Sequence, residues 1–194
     1  RQVPVNPKVL GEKALQTMPE IIQVLFKSND PNLLNKELER KIYESRKKIE
    51  NKAISLSLNN FYICSISSKS IIYKGMFLAE AISDFFLDLK DKRFISRYAI
   101  FHQRFSNNTA PSWSIAQPFR AIAHNGEINT YKGNKNWMKV HEQEMSSALF
   151  ENVNNLKPVT QKGVSDSAAL DNVFELLNKS GQPAPLAKLM LVPD

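Results

Sequence analysis

Cysteine is almost missing from this chain. The single Cys64 excludes a disulfide framework within it and points to a reducing compartment. No apolar run approaches the roughly 18 residues that would span a bilayer. The opening RQVPVNPKVLG has neither the apolar stretch nor the cleavage pattern of a signal peptide. Glycine is scarce, at six residues, and neither a dinucleotide fingerprint nor a phosphate-binding loop is present. The histidines, His102, His124 and His141, lack the Cys or carboxylate spacing of a metal site. There are no repeats and no low-complexity tracts. A starting Met is also lacking, and the chain ends in LMLVPD, so the expectation is a segment cut from a longer protein.

What is present is an ordinary globular balance, 42% hydrophobic and 23% charged. A length of 194 residues suggests one domain or a large piece of one. The net charge of +7 has two readings, a nucleic-acid surface or an AT-rich coding sequence that favours Lys, Asn and Ile. The lysines are scattered. The densest cluster, Arg46, Lys47 and Lys48, shares a helical stretch with Glu37, Glu39, Glu44 and Glu50, which reads as a solvated, salt-bridged face. Cys64 sits in the alternating run FYICSISS and reads as a buried structural thiol, because nothing near it in sequence favours a thiolate.

Along the chain, residues 1–34 are loop-rich, with Pro4, Pro7, Pro19 and Pro31 as breakers and a strand at Glu20–Phe26. Asn35 is placed to cap a helix running to about Asn51, with Leu38, Ile42 and Ile49 on its apolar face. Phe61–Ser67 and Ser70–Gly75 read as a hairpin, Leu78–Leu89 as a short helix and Tyr98–Phe105 as a strand. Phe119–Ala123 and Glu127–Thr130 flank Asn125-Gly126, a strong type I′ hairpin signal. Helices are expected over Asn134–Leu149 and after the cap Ser165, the latter ended by Gly181. An apolar helix or strand closes the chain. Strands and helices come in runs, which favours a layered α+β fold.

The stretch Phe101–Met138, FHQRFSNNTAPSWSIAQPFRAIAHNGEINTYKGNKNWM, holds more Asn and polar residues than a packed core needs. Trp113 and Trp137 within it read as core or loop-packing residues. Taken singly, its residues leave alternatives open. Asn125-Gly126 is either a plain hairpin turn or an oxyanion hole, in which a side-chain amide and an unobstructed backbone N–H meet one oxygen. Arg104 is either a surface ion pair or a bidentate carboxylate clamp. Asp166 is either favourable charge at a helix N-terminus or an acceptor for an ammonium group. Together they describe a site for an amino acid whose side chain undergoes acyl chemistry, and glutamine hydrolysis fits that set.

The segments HQRFSNNTAPSW, AQPFRAIAHNGEINTYKGNKNWM and SDSAALDNVFELL closely resemble the glutaminase domain of glutamate synthase large chains, a branch of the class II glutamine amidotransferases. The opening RQVPVNPKVLGEKALQTMP and the run FYICSISSKSIIYKGM look like the same family, so the resemblance covers nearly the whole chain. It implies an N-terminal-nucleophile hydrolase fold, a four-layer αββα sandwich, here incomplete at both ends, with residues 1–194 internal to a single domain. It places Arg104 on the glutamine carboxylate, Asp166 on its amino group, and Asn125 and Gly126 in the oxyanion hole. His124 and Phe105 are supporting positions without assigned chemistry. The family's nucleophile, a cysteine opening the mature protein, is expected upstream of Arg1. Cys64 does not match it, so the isolated segment is expected to be inactive. FMN and a 3Fe-4S cluster are implied for the full-length enzyme and no cofactor for this segment. The implied partners are glutamine and an electron donor, either ferredoxin or a nicotinamide-binding small subunit. Neither nucleic acid nor a membrane is implied. FYICSISSKSIIYKGM and AQPFR look more like ferredoxin-dependent proteins of photosynthetic lineages, and the composition would suit a plastid genome. The expected location is the plastid stroma or a bacterial cytoplasm, without secretion. Alternatives are an NADPH-dependent glutamate synthase, another class II amidotransferase, and, on charge alone, a basic nucleic-acid-binding module.

Overall fold

The computed structural model describes residues 1–33, 35–103, 110–161 and 163–192. These contain six α-helices: α1 Glu12–Gln16, α2 Asn35–Ser55, α3 Ile82–Phe85, α4 Tyr131–Glu144, α5 Asp166–Lys179 and α6 Ala184–Leu191. The chain divides into two compact units, residues 1–27 with 72–125, and residues 28–71 with 126–194. No helix is long and apolar enough to cross a membrane among the described residues.

The first unit is mostly irregular. Its core is aromatic: Phe85 is fully buried, with its ring centroid 4.7 Å from Phe86, 5.1 Å from Phe77 and 5.6 Å from Trp113. Edge-to-face and tilted pairs of this kind add about 0.5–1.5 kcal/mol each beyond area burial. Buried Trp113 donates its indole N–H to the Ala14 carbonyl at 3.1 Å, so it serves the core as expected. A Cβ on Gly75 would collide with Phe77 and Trp113, so only glycine lets the backbone pass there. Ala79–Ala81 and Leu87–Lys90 are 3-10 turns flanking α3, so the helix expected over Leu78–Leu89 forms in pieces.

The second unit is helical. Tyr43, Phe150, Leu156, Val159 and Leu176 form its core, with Met138, Met145, Val153 and Val173 packed against it. α5 follows its sequence signals closely. The Ser165 hydroxyl accepts from the Ala168 N–H at 3.2 Å, the bond that makes Ser a good N-cap. Gly181 takes φ 98° at the other end, and the Gln182 N–H reaches back to the Leu177 carbonyl at 3.0 Å. The closing apolar segment is helical, as α6.

Three expectations are corrected. The face of α2 carrying Glu39, Glu44, Arg46, Lys47 and Glu50 is ion-paired but not solvated; Arg46 is only 1% exposed. Its guanidinium pairs with Glu50 at 2.9 Å and with Glu175 of α5. Lys47 donates to the Pro158 carbonyl at 2.6 Å, and the Glu44 carboxylate accepts from the Asn152 N–H at 3.2 Å. Asn51 donates to the Asn155 and Lys157 carbonyls. These side chains point inward because the stretch 151–158, a short 3-10 turn at Val153–Leu156 with irregular chain on either side, offers backbone groups that need partners. Of the apolar set, Ile42 is buried while Ile49 is exposed. Asn35 is the first residue of α2 and takes φ 56°, a left-handed value that Asn tolerates.

The second correction concerns strands. Among the described residues, pairing is limited to two isolated antiparallel bridges, Gln2 with Ile22 and Val5 with Phe86. Glu20–Phe26 contributes one of them and no ladder. Residues 61–75 form no hairpin, and the unit boundary falls between Ile71 and Ile72, inside the second expected strand. Residues 98–103 have no assigned strand, with Tyr98, Ile100 and Phe101 exposed; the end of that expected strand, Arg104 and Phe105, lies outside the described residues. A strand needs at least one neighbouring strand to bond its backbone, so alternation alone does not make one. The layers of an αββα sandwich are not built by the described residues.

Third, Trp137 is 76% exposed on α4 and packs in no core. The inward side of that helix is taken by Met138, and the adjacent residue lies about 100° away. α4 itself covers Tyr131–Glu144 instead of Asn134–Leu149. Cys64 is half-buried and outside any disulfide.

Candidate functional site

The polar stretch reverses direction earlier than its sequence suggests. Neither Asn125 nor Gly126 has positive φ, which a type I′ turn requires at both positions. The tight reversal sits instead at Arg120-Ala121, where the Phe119 N–H donates to the Ile122 carbonyl at 2.9 Å. Below it, the side chain of Gln117 bonds both backbone groups of His124. Its Nε2 donates to the His124 carbonyl at 2.6 Å, and its Oε1 accepts from the His124 N–H at 2.7 Å. The Gln117–Pro118 peptide is cis. Lys74, buried beneath, donates to the Ser114 and Ala116 carbonyls at 2.7 and 2.9 Å and lies 5.7 Å from the Phe119 ring centroid. The loop is thus anchored at its base and stitched across its middle.

Asn125 and Gly126 follow at once, both exposed, Asn125 closing the first unit and Gly126 opening the second. Within the second unit, Asp166 occupies the first position of α5 and is half-buried. Its Oδ2 accepts from the Ile128 N–H at 3.0 Å, two residues beyond Gly126, and its Oδ1 from the Ser167 N–H at 2.7 Å. The Tyr131 hydroxyl donates to the Val164 carbonyl at 3.1 Å, a second tie between the same two stretches. An ionised carboxylate offers about four acceptor positions, and the start of a helix favours negative charge. Asp166 therefore has room to accept from a cationic ligand while its backbone bonds hold its orientation. Arg104 and Phe105 lie outside the described residues.

The first unit also holds a cavity of about 870 Å³, lined in part by Gly75, Phe77, His102, Gln117 and Pro118. Its described lining includes Gln103 but not Asn125, which belongs to the same unit. The resemblance assigns FMN and the 3Fe-4S cluster to parts of the enzyme outside residues 1–194. A cluster takes several thiolates, which the single Cys64 cannot supply. The reading from sequence missed Gln117, Tyr131 and the Asp166–Ile128 bond. Only Gln117 had a signal available, a polar side chain next to a proline in the stretch already singled out.

Comparison with known proteins gives the chain a family. The class-II glutamine amidotransferase family matches residues 1–194. The large chain of an NADPH glutamate synthase from Azospirillum brasilense is 52% identical over 195 residues, covering 100% of this chain and 13% of its own length. A ferredoxin-dependent glutamate synthase from Antithamnion sp. is 43% identical, with 100% of this chain and 13% of that protein covered. The chloroplastic ferredoxin-dependent enzyme of Spinacia oleracea is 42% identical, with 100% and 12% covered. The chain thus spans about 13% of the length of such relatives.

Proposed function

The chain belongs to the class II glutamine amidotransferases, and from that membership we propose that it is part of the glutamine-hydrolysing, ammonia-supplying domain of a glutamate synthase. In this reading the parent enzyme converts glutamine, 2-oxoglutarate and reductant to two glutamates. Arg104 grips the glutamine carboxylate, Asp166 accepts from its ammonium group, and the Asn125 amide with the Gly126 N–H receives the oxyanion. The nucleophilic thiolate attacks the side-chain amide, ammonia leaves, and water releases glutamate from the thioester. The fold is the family's αββα sandwich, completed by parts of the protein outside residues 1–194.

The observation that carries the reading is the Asp166–Ile128 hydrogen bond, which ties the acid to the backbone just beyond Asn125-Gly126. Matches over the full chain to relatives named as glutamate synthases support the acceptor chemistry over that of other class II enzymes. Relatives named for NADPH and for ferredoxin both match throughout, because the glutamine site does the same work whichever donor is used. The partner in electron transfer is thus ferredoxin or a nicotinamide-binding subunit, and the location the plastid stroma or a bacterial cytoplasm. The nucleic-acid reading loses support, since Arg46 and Lys47 of the densest basic cluster are buried.

The test is glutaminase kinetics of the full-length enzyme. Asn125→Ala should lower kcat roughly 100- to 1000-fold, the usual cost of losing an oxyanion donor. Arg104→Ala and Asp166→Ala should act mainly by raising the KM for glutamine. Synthesis driven by added ammonia should survive all three. Near-normal glutamine kinetics in the three variants would reject the reading.

A further inference from the structure

We propose that Gln117 is a positioning residue for the oxyanion-hole amide Asn125, acting through the backbone of His124; this rests on the reading of Asn125 given above. The loop 117–124 is built like a hairpin. Phe119 and Ile122 face each other across the Arg120-Ala121 reversal, joined by a 2.9 Å backbone bond. In the same register Pro118 faces Ala123 without a bond, and the next pair placed to hydrogen-bond is Gln117 and His124. There the Gln117 side-chain amide does what a partner strand's backbone would do, donating to the His124 carbonyl and accepting from its N–H.

The geometry explains why this matters for the following residue. The His124 N–H belongs to the peptide plane before its Cα, and the His124 carbonyl to the plane after it, which also contains the Asn125 nitrogen. Two planar peptides joined at one Cα leave two soft torsions, and one rigid planar amide bonding to both restricts the pair together. Asn125 is itself exposed and begins no helix or strand, so its entry angle depends on what holds His124. Lys74, bonded to the Ser114 and Ala116 carbonyls, fixes the chain leading into Gln117 from the other side.

Two variants of the full-length enzyme separate this role from general support. Gln117→Leu removes both bonds. Gln117→Glu keeps the acceptor but sets a carboxylate oxygen against the His124 carbonyl. Both should lower glutamine-dependent kcat by roughly tenfold to a hundredfold, the cost of a small misplacement near the reacting atoms, with the KM for glutamine changed less than about twofold. Ammonia-dependent synthesis should be unaffected in both, which also shows that the protein is folded. Protonating the carboxyl introduced by Gln117→Glu would restore a donor. The kcat deficit of Gln117→Glu should therefore shrink as pH is lowered, and that of Gln117→Leu should not. If Gln117→Leu does not fold, the pH response of Gln117→Glu decides alone. Unchanged kcat in both variants, or a change confined to KM, overturns the proposal when Asn125→Ala still lowers kcat. If Asn125→Ala has no effect either, the reading of the site itself has failed.

Discussion

The two units hold themselves together by different means. The first packs aromatic rings around Phe85 and has little regular backbone. The second runs a charged helix, α2, through its interior and uses the side chains to partner a 3-10 turn and the chain on either side of it. In one, stability rests on filled volume. In the other, it rests on buried charges finding partners, where losing one member is far worse than lacking the whole set. Buried charge is therefore not a flaw in the second unit but the reason 151–158 can make only a short 3-10 turn and still be satisfied.

Breaking the ionic set should have the largest effect. Arg46→Ala leaves Glu50 and Glu175 buried without their shared cation and should cost about 4 kcal/mol, seen as a lower midpoint in far-UV circular dichroism. A loss under about 1 kcal/mol would mean the pair is not buried as described. Next, Phe85→Ala should cost about 3 kcal/mol, near the lower end for a buried Phe because the surrounding irregular backbone can close in. The buried Trp113 reports it, followed by fluorescence in a Trp137→Phe background. If circular dichroism and Trp113 fluorescence shifted together in both variants, the contrast between the units would dissolve into one cooperative transition.

The smallest effect sharpens the contrast through pH. Burial works to raise the Glu39 carboxyl, but hydrogen bonds from Lys179 and from the Ser68 N–H and hydroxyl outweigh it and hold it below the ordinary carboxylate range. A depressed folded value means stability is fully present above about pH 4.3, the unfolded value. It is lost as pH falls through the folded one. Glu39→Gln should therefore make the acid limb of the unfolding curve shallower. A limb that keeps its slope would show that another group carries the acid sensitivity.

How much of this was legible beforehand depended on the range of the interactions. α5 was readable because Ser165, the helix repeat and Gly181 act within a few residues of one another. The site residues Asn125, Gly126 and Asp166 were nominated by residue type and by family resemblance. Glu20–Phe26 and Phe61–Gly75 misled because alternation describes a surface that could pair, while pairing needs a partner the local sequence does not name. Trp137 misled because bulk alone does not say which side of a helix faces inward.

The amino-acid sequence by itself determined the family, the ends of α5 and the inventory of groups fit for a glutamine site, since these depend on residue identity and short spacing. Tertiary structure alone decided that Arg46 turns inward to Glu175, 129 residues away, and that Asp166 meets the Ile128 backbone. It also decided that the chain reverses at Arg120-Ala121, with Gln117 in place of a strand. In each case the bond joins groups whose pairing depends on where the backbone goes, and no local pattern records that.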